Sequence, residues 1–190
     1  MQMGKKPSIK RIAAVMLVFV LVFGVTACGN NSGQSDSRQD ATEQIEELAE
    51  MAQKVTDGDL FFIETVEKYP AEYRGTTDQA KKEQNDEARP ELSSHVENMD
   101  AYDTIVLIYP NWWGTLPQPV FTFLEEYDFS GKTILPLCTH EGSQLGRSES
   151  DIASICQDAQ LLDGLSVRGS DVGSAQTEVE EWISNSGILD

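Results

Sequence analysis

Apolar and polar positions alternate along this chain in two rhythms. In "TEQIEELAEMAQKV", residues 42–55, Ile45, Leu48, Ala49, Ala52 and Val55 recur at the three- and four-residue spacing of one helix face, which predicts a helix with Asp40 as its cap and Glu43 three residues on. "DLFFIETV" (59–66) predicts a strand after the Asp57-Gly58 turn. The polar stretch 68–102 predicts two helices, near 77–88 and 91–99. "TIVLIYP" (104–110) is a continuous β-branched run, as in a parallel strand covered on both faces. "PQPVFTFLEEY" predicts a helix with proline in its first turn. "KTILPLCT" (132–139) predicts a strand despite Pro136, which has no N–H for a ladder. Next come a helix over "SESDIASICQDAQLL", with Ser148 and Asp151 as a capping box, and a short strand "LSVRG". A last helix, "AQTEVEEWISNSG", ends at Gly187.

Strands and helices in alternation with short connections predict an α/β fold, a parallel sheet with helices on both faces. Ligands in such sheets bind beyond the carboxyl ends of the strands. Two unusual loops, "PNWWGTLPQ" and "THEGSQLGRS", follow the strands at 104–109 and 132–138 and therefore share one edge of the sheet. Tryptophan faces offer stacking surface for a planar ring, and glycines let a ligand approach the backbone closely. One tryptophan is expected to pack into the core and the other to stack on a flat heterocycle.

The N-terminus changes the picture. Lys5, Lys6, Lys10 and Arg11 precede the uncharged run Ile12–Val25, which is short for a membrane span and suited to a signal peptide, and "VTAC" then resembles a bacterial lipobox. The expected organisation is a signal peptide over 1–27, lipidation of Cys28, a polar tether over 28–39 and one domain over 40–190. This places the domain outside the cytoplasmic membrane, anchored through lipid. Formal net charge is −18; removing residues 1–27 takes away four basic residues and no acid, leaving −22. Such a charge argues against nucleic-acid binding. Cys138 and Cys156 are expected as buried thiols, although an exported context permits a disulfide. Two histidines, His95 and His140, far apart, do not suggest a metal site, and no catalytic acid, base or nucleophile stands out.

"YPNWWGTLPQPVFTFLE" followed by "LCTHEGSQLGRS" resembles the flavodoxin-like family, in the bacterial branch often carried on lipoproteins. The resemblance spans roughly residues 42–186 and implies a flavodoxin-like three-layer sandwich. It also implies FMN contacts at Pro110, Asn111, Trp112, Trp113 and Gly114, and at Thr139, Gly142, Ser143 and Gly146. Gln144 stands where a glycine is common, and Pro136 agrees with the family pattern. At the other end, "SRQDAT" (37–42) falls in the place of the phosphate loop. Ser37 and Thr42 match its first and last hydroxyl positions, the glycine is absent, and Asp40 puts an acid where a phosphate would sit. "CGNNSGQSD" offers no first strand, so the mature chain lacks the rung between 59–66 and 104–109; the only apolar segment upstream is the export segment. The resemblance implies an FMN-dependent oxidoreductase or electron carrier, with a redox protein or a quinone as partner. The alternative is a cofactor-free flavodoxin-like binding or scaffold lipoprotein.

Overall fold

The computed structural model describes residues 12–16, 37–70 and 72–189. Five strands follow one path, β2(Asp59–Phe62), β1(Ile12–Met16), β3(Thr104–Pro110), β4(Thr133–His140) and β5(Gln160–Leu161), while β6(Leu165–Arg168) also pairs with β4; every pairing is parallel. The helices are α1(Ser37–Thr56), α2(Tyr73–Asn85), α3(Gln118–Glu126), α4(Ser148–Ile155) and α5(Gln176–Asn185).

β3 explains the two-sided core. All seven of its residues are buried. Because side chains alternate across a strand, Ile105, Leu107 and Tyr109 join the cluster under α3 and α4, whereas Val106 and Ile108 join the cluster under α1 and α5. On α1, Ile45, Leu48, Ala49 and Ala52 form the buried stripe that the spacing predicts. Cys138 and Cys156 are free thiols in the α3–α4 cluster, and burial pushes them up to about 12 and about 11 respectively.

The central rung is present in the full chain. Ala13–Met16 pair with Asp59–Phe62 on one side, and Ile12–Met16 pair with Thr104–Ile108 on the other. The strand therefore comes from the apolar run that the lipoprotein reading assigns to the leader, and a chain beginning at Cys28 would lack it. The remainder of that run, Cys28 and the tether up to Asp36 lie outside the described residues.

Other expectations need correction. Ser37–Gln39 belong to α1 and not to a tether, and Asp40 lies within the first turn instead of capping it. The stretch 37–44 contains no glycine or proline to stop the helix from extending backwards. No helix forms over 91–99; only Met99–Ala101 makes a short 3-10 turn. Residues 91–94 run extended along the continuation of β2, with Val66 N–H bonded to Glu91 O at 2.9 Å and Ser93 N–H to Glu64 O at 2.8 Å. Ser94 Oγ donates to Phe62 O at 2.7 Å, and this side-chain to backbone competition is what draws serine out of helices. α4 stops at Ile155, because 160–161 are taken into the sheet as β5. Its supposed capping box is absent: Arg147 is the N-cap, and buried Ser148 donates to Leu145 O at 2.7 Å.

Pro136 is also explained. β4 pairs on its outer side with β5 through Thr133 and Ile134 and with β6 from Leu137 onward, so the missing donor falls where the neighbour changes. Among the described residues no helix is long and apolar enough to cross a membrane.

Candidate functional site

Where β3 and β4 end, the chain makes two loops that pack side by side and together line a cleft of about 770 Å³. Trp112 and Thr115 exchange both backbone hydrogen bonds, at 2.9 and 3.2 Å, around Trp113 (φ 53°) and Gly114 (φ 86°). Two successive positive φ values make this a type I′ turn. Such turns favour Asn or Gly at the first central position; an aromatic residue there is held against about 1–2 kcal/mol of local strain. The turn presents Trp113 outward, 53% exposed, at the mouth of the cleft.

The two tryptophans differ. Trp112 is half-buried and meets Tyr69 edge to face, with centroids 5.6 Å apart; the Tyr69 hydroxyl donates to Glu83, and burial pushes its pKa well above the ordinary tyrosine value. Trp113 leans on α2 instead. Its indole N–H donates to Thr77 O at 3.2 Å, Lys81 Nζ sits 5.0 Å from the ring centroid, and Gln84 Nε2 donates to Trp113 O at 3.3 Å.

Asn111 brackets the loops together. Its backbone N–H reaches Thr139 O (2.7 Å), its Oδ1 accepts from Gly114 N–H (2.9 Å), and its Nδ2 donates to Gln144 O (2.8 Å). Beneath it, Arg147 N–H bonds Gly114 O at 2.9 Å, and a Cβ on Gly146 would lie 2.3 Å from that same oxygen. Asp151 accepts from Thr115 Oγ1 and from Arg147 Nε, the latter at 3.0 Å. In the second loop His140 Nδ1 accepts the Gly142 N–H at 2.8 Å, which puts the ring proton of neutral His140 on Nε2. Gly142 and Gly114 have nothing within 4 Å of a notional Cβ, so a planar ligand has room against both backbones.

Gln144 has φ 51°, which accounts for its oddity in sequence. It occupies a left-handed position suited to glycine. Gln144→Gly is expected to raise stability by about 0.5–1 kcal/mol, the relief of strain being partly offset by greater freedom of the unfolded chain. A thermal melt reads this as a rise of about 1–4 °C; an unchanged or lower midpoint would show that the position is not strained.

The structure thus brings Pro110, Asn111, Trp112, Trp113, Gly114, Thr139, Gly142 and Ser143 to one cleft. Gly146 packs below it against Gly114. Ser37 and Thr42 lie on α1 and not in a loop; the Ser37 side chain is outside the described residues, and α1 contributes Ala41 and Gln44 to the lining, not Thr42. Sequence reasoning missed the opposite wall, where α2 supplies Tyr73, Thr76, Thr77 and Asp78. Its one signal was a run of small and hydroxyl residues, "GTTDQA", inside a polar helix. Two carboxylates, Asp78 and Glu141, line the cleft among the described residues, and no lysine or arginine does. No group of three metal-ligating side chains gathers among the described residues.

Comparisons with known proteins bear on the family and the fold. The family model described as Flavodoxin matches residues 37–186, starting at the first residue of α1 and so leaving out β1. A candidate flavoprotein from Bacteroides uniformis ATCC 8492 superposes with a TM-score of 0.72 at 22% identity, covering 92% of this chain and 98% of the other. A second from Bacteroides eggerthii DSM 20697 gives 0.64 at 22% identity, covering 90% and 97%. A flavoprotein in complex with FMN from Lactobacillus acidophilus NCFM gives 0.61 at 18% identity, covering 92% and 99%. Among curated proteins none matches the chain.

Proposed function

Because this chain belongs to the flavodoxin family, we propose that it binds FMN in the β3–β4 cleft and carries electrons to or from a redox partner. One observation carries the reading: an exposed indole on a strained turn stands beside a glycine-containing loop at the carboxyl edge of a parallel sheet. Strain at a bulky residue persists where the surroundings hold it, and it clusters at ligand sites. The Lactobacillus acidophilus relative binds FMN. Bound flavin would supply reversible uptake of one or two electrons.

The chain's own residues hold and orient. Trp113 offers the stacking face, Gly114 and Gly142 let a ring edge reach the backbone, and Asn111 sets the separation of the two loops. Asp78 and Glu141 disfavour added negative charge in the cleft. Nδ1 of His140 is engaged by Gly142 and takes no proton from a ligand in this arrangement. The partner is a redox protein or a quinone. Export, lipidation of Cys28 and a place on the outer side of the cell membrane are part of the proposal, supported by the basic start, the apolar run and "VTAC"; they combine with flavin binding only where Ile12–Met16 is retained or another strand takes its place between β2 and β3.

Trp113→Gly is the sharpest test, since glycine suits the first central position of a type I′ turn. Titration of the full chain with FMN, followed by tryptophan and flavin fluorescence, should give saturable binding. The variant should lose about tenfold in affinity or more, of the order of 1.4 kcal/mol, while its melting point stays within a few degrees. Wild-type affinity in the variant would remove Trp113 from the site. The second reading, a cofactor-free scaffold lipoprotein, is favoured by the loss of β1 on cleavage before Cys28; a folded full chain that ignores FMN would select it.

A further inference from the structure

Lys81 is a cation held in place without a counter-charge. The chain is acidic, with a formal net charge of −18, and the neighbouring Lys82 pairs with Asp86 at 2.7 Å. Lys81 makes no such ion pair among the described residues. Its half-buried ammonium donates to Gln84 Oε1 at 2.8 Å and stands 5.0 Å from the Trp113 ring centroid. Gln84 in turn donates from Nε2 to Trp113 O at 3.3 Å. Both partners are neutral, so the charge is fixed over the indole, whose face attracts it, and is not cancelled there. Trp113 lines the cleft, whereas Lys81 and Gln84 do not. The ammonium therefore covers the side of the indole turned away from the cleft and leaves the other face for a ligand. A ring stacked there at van der Waals separation would have this charge about 8–9 Å behind it.

We propose that Lys81 sets the redox balance of the site: acting through the indole, it favours the reduced over the oxidised form of a flavin stacked on Trp113. Two electrons and one proton taken from the redox partner leave the flavin with one more negative charge, and charge near the ring tunes its potential. Asp78 and Glu141, inside the cleft, push the other way, and Lys81 opposes them from behind the ring. This rests on the flavin-binding reading and names the residue that regulates that same site. At this separation, in a half-exposed setting, a unit charge is worth about three- to tenfold in an equilibrium constant.

The test is a spectroelectrochemical titration of the FMN-loaded full chain beside a fluorescence titration with oxidised FMN, for wild type, Lys81→Met and Lys81→Arg. Methionine keeps much of the side-chain length without the charge, and arginine keeps the charge. In Lys81→Met, reduced FMN should lose about three- to tenfold more affinity than oxidised FMN, which lowers the midpoint potential by about 15–30 mV for a two-electron couple. Lys81→Arg should stay within about twofold of wild type, or about 10 mV. The difference between Lys81→Met and wild type should narrow as salt is raised. An equal loss of affinity in both oxidation states would leave the potential unmoved; Lys81 would then be only a prop for the indole, and the inference would fall while flavin binding stood. A wild-type potential and affinity in Lys81→Met would overturn it in the same way. Failure of the folded wild-type chain to bind FMN would overturn the flavin reading and this inference together.

Discussion

A chain that begins at Cys28 is expected not to fold into this domain. β1 bonds to neighbours on both sides, through four register pairs with β2 and five with β3. At about 1 kcal/mol net per hydrogen bond, losing ladders of that length costs about as much as the whole stability of a typical domain, about 5–15 kcal/mol. It also uncovers Ile105 to Ile108, which are fully buried. Circular dichroism and thermal denaturation of residues 28–190 should show no cooperative transition, whereas the full chain with Cys28→Ser should melt cooperatively and bind flavin. A cooperative melt of residues 28–190 near that of the full chain would mean that β2 and β3 can close on each other or recruit another strand. It would also remove the conflict between export and the fold. With the predicted outcome, the flavin-binding molecule is the one that has kept its leader.

Gly146→Ala should be the most damaging single methyl in the domain. Two penalties coincide there. The residue has φ 59°, and the new Cβ would lie 2.3 Å from Gly114 O, 2.9 Å from Gly114 C and 3.1 Å from Asn111 Nδ2. The first two atoms are backbone and cannot swing aside. Relief requires the type I′ turn to move away, breaking the Arg147 N–H bond to Gly114 O and the Asn111 bracket. The combined expectation is about 3–4 kcal/mol of destabilisation, roughly 6–16 °C in a domain of this size at about 2–4 °C per kcal/mol, with flavin affinity falling because the loops separate. Gly142→Ala is the control. Its φ of 142° also disfavours a side chain, but nothing lies within 4 Å of its notional Cβ, so its cost should be strain alone. Equal melting points for the two variants would show that the close approach at Gly114 is not tight.

The comparison of pattern and structure divides along physical lines. Elements whose burial dictates their residues were legible: β3, β4, α1, α3 and α5 follow their apolar spacing. Both loops of the cleft were legible because tryptophan and glycine are costly in loops without a reason. Segments 91–94 and 160–161 were not. Their conformation is decided by hydrogen bonds to partners distant in sequence, Phe62 and Glu64 for the first and Lys132 and Ile134 for the second, and no local propensity records those. The α2 wall escaped for a related reason: Tyr73, Thr77 and Asp78 form no apolar period, and only the third dimension sets them beside Trp113. β1 was the hardest case, since five residues inside an apolar run read equally well as leader and as strand.

The attachment of Trp113 to α2 has a kinetic consequence. Indole N–H, ring face and main-chain carbonyl are all held by residues of that one helix, Thr77, Lys81 and Gln84. The ring is therefore not a flap that swings alone on its turn. Any widening of the cleft on this side carries helix and ring together, so the exchange rate of a bound molecule is set by displacement of a thirteen-residue helix and not by a side-chain rotamer flip. Such collective motions belong to microseconds and longer, against picoseconds to nanoseconds for the rotamer. Residence time and affinity thereby become separable properties of this site, the first governed by how α2 is anchored and the second by what the indole touches.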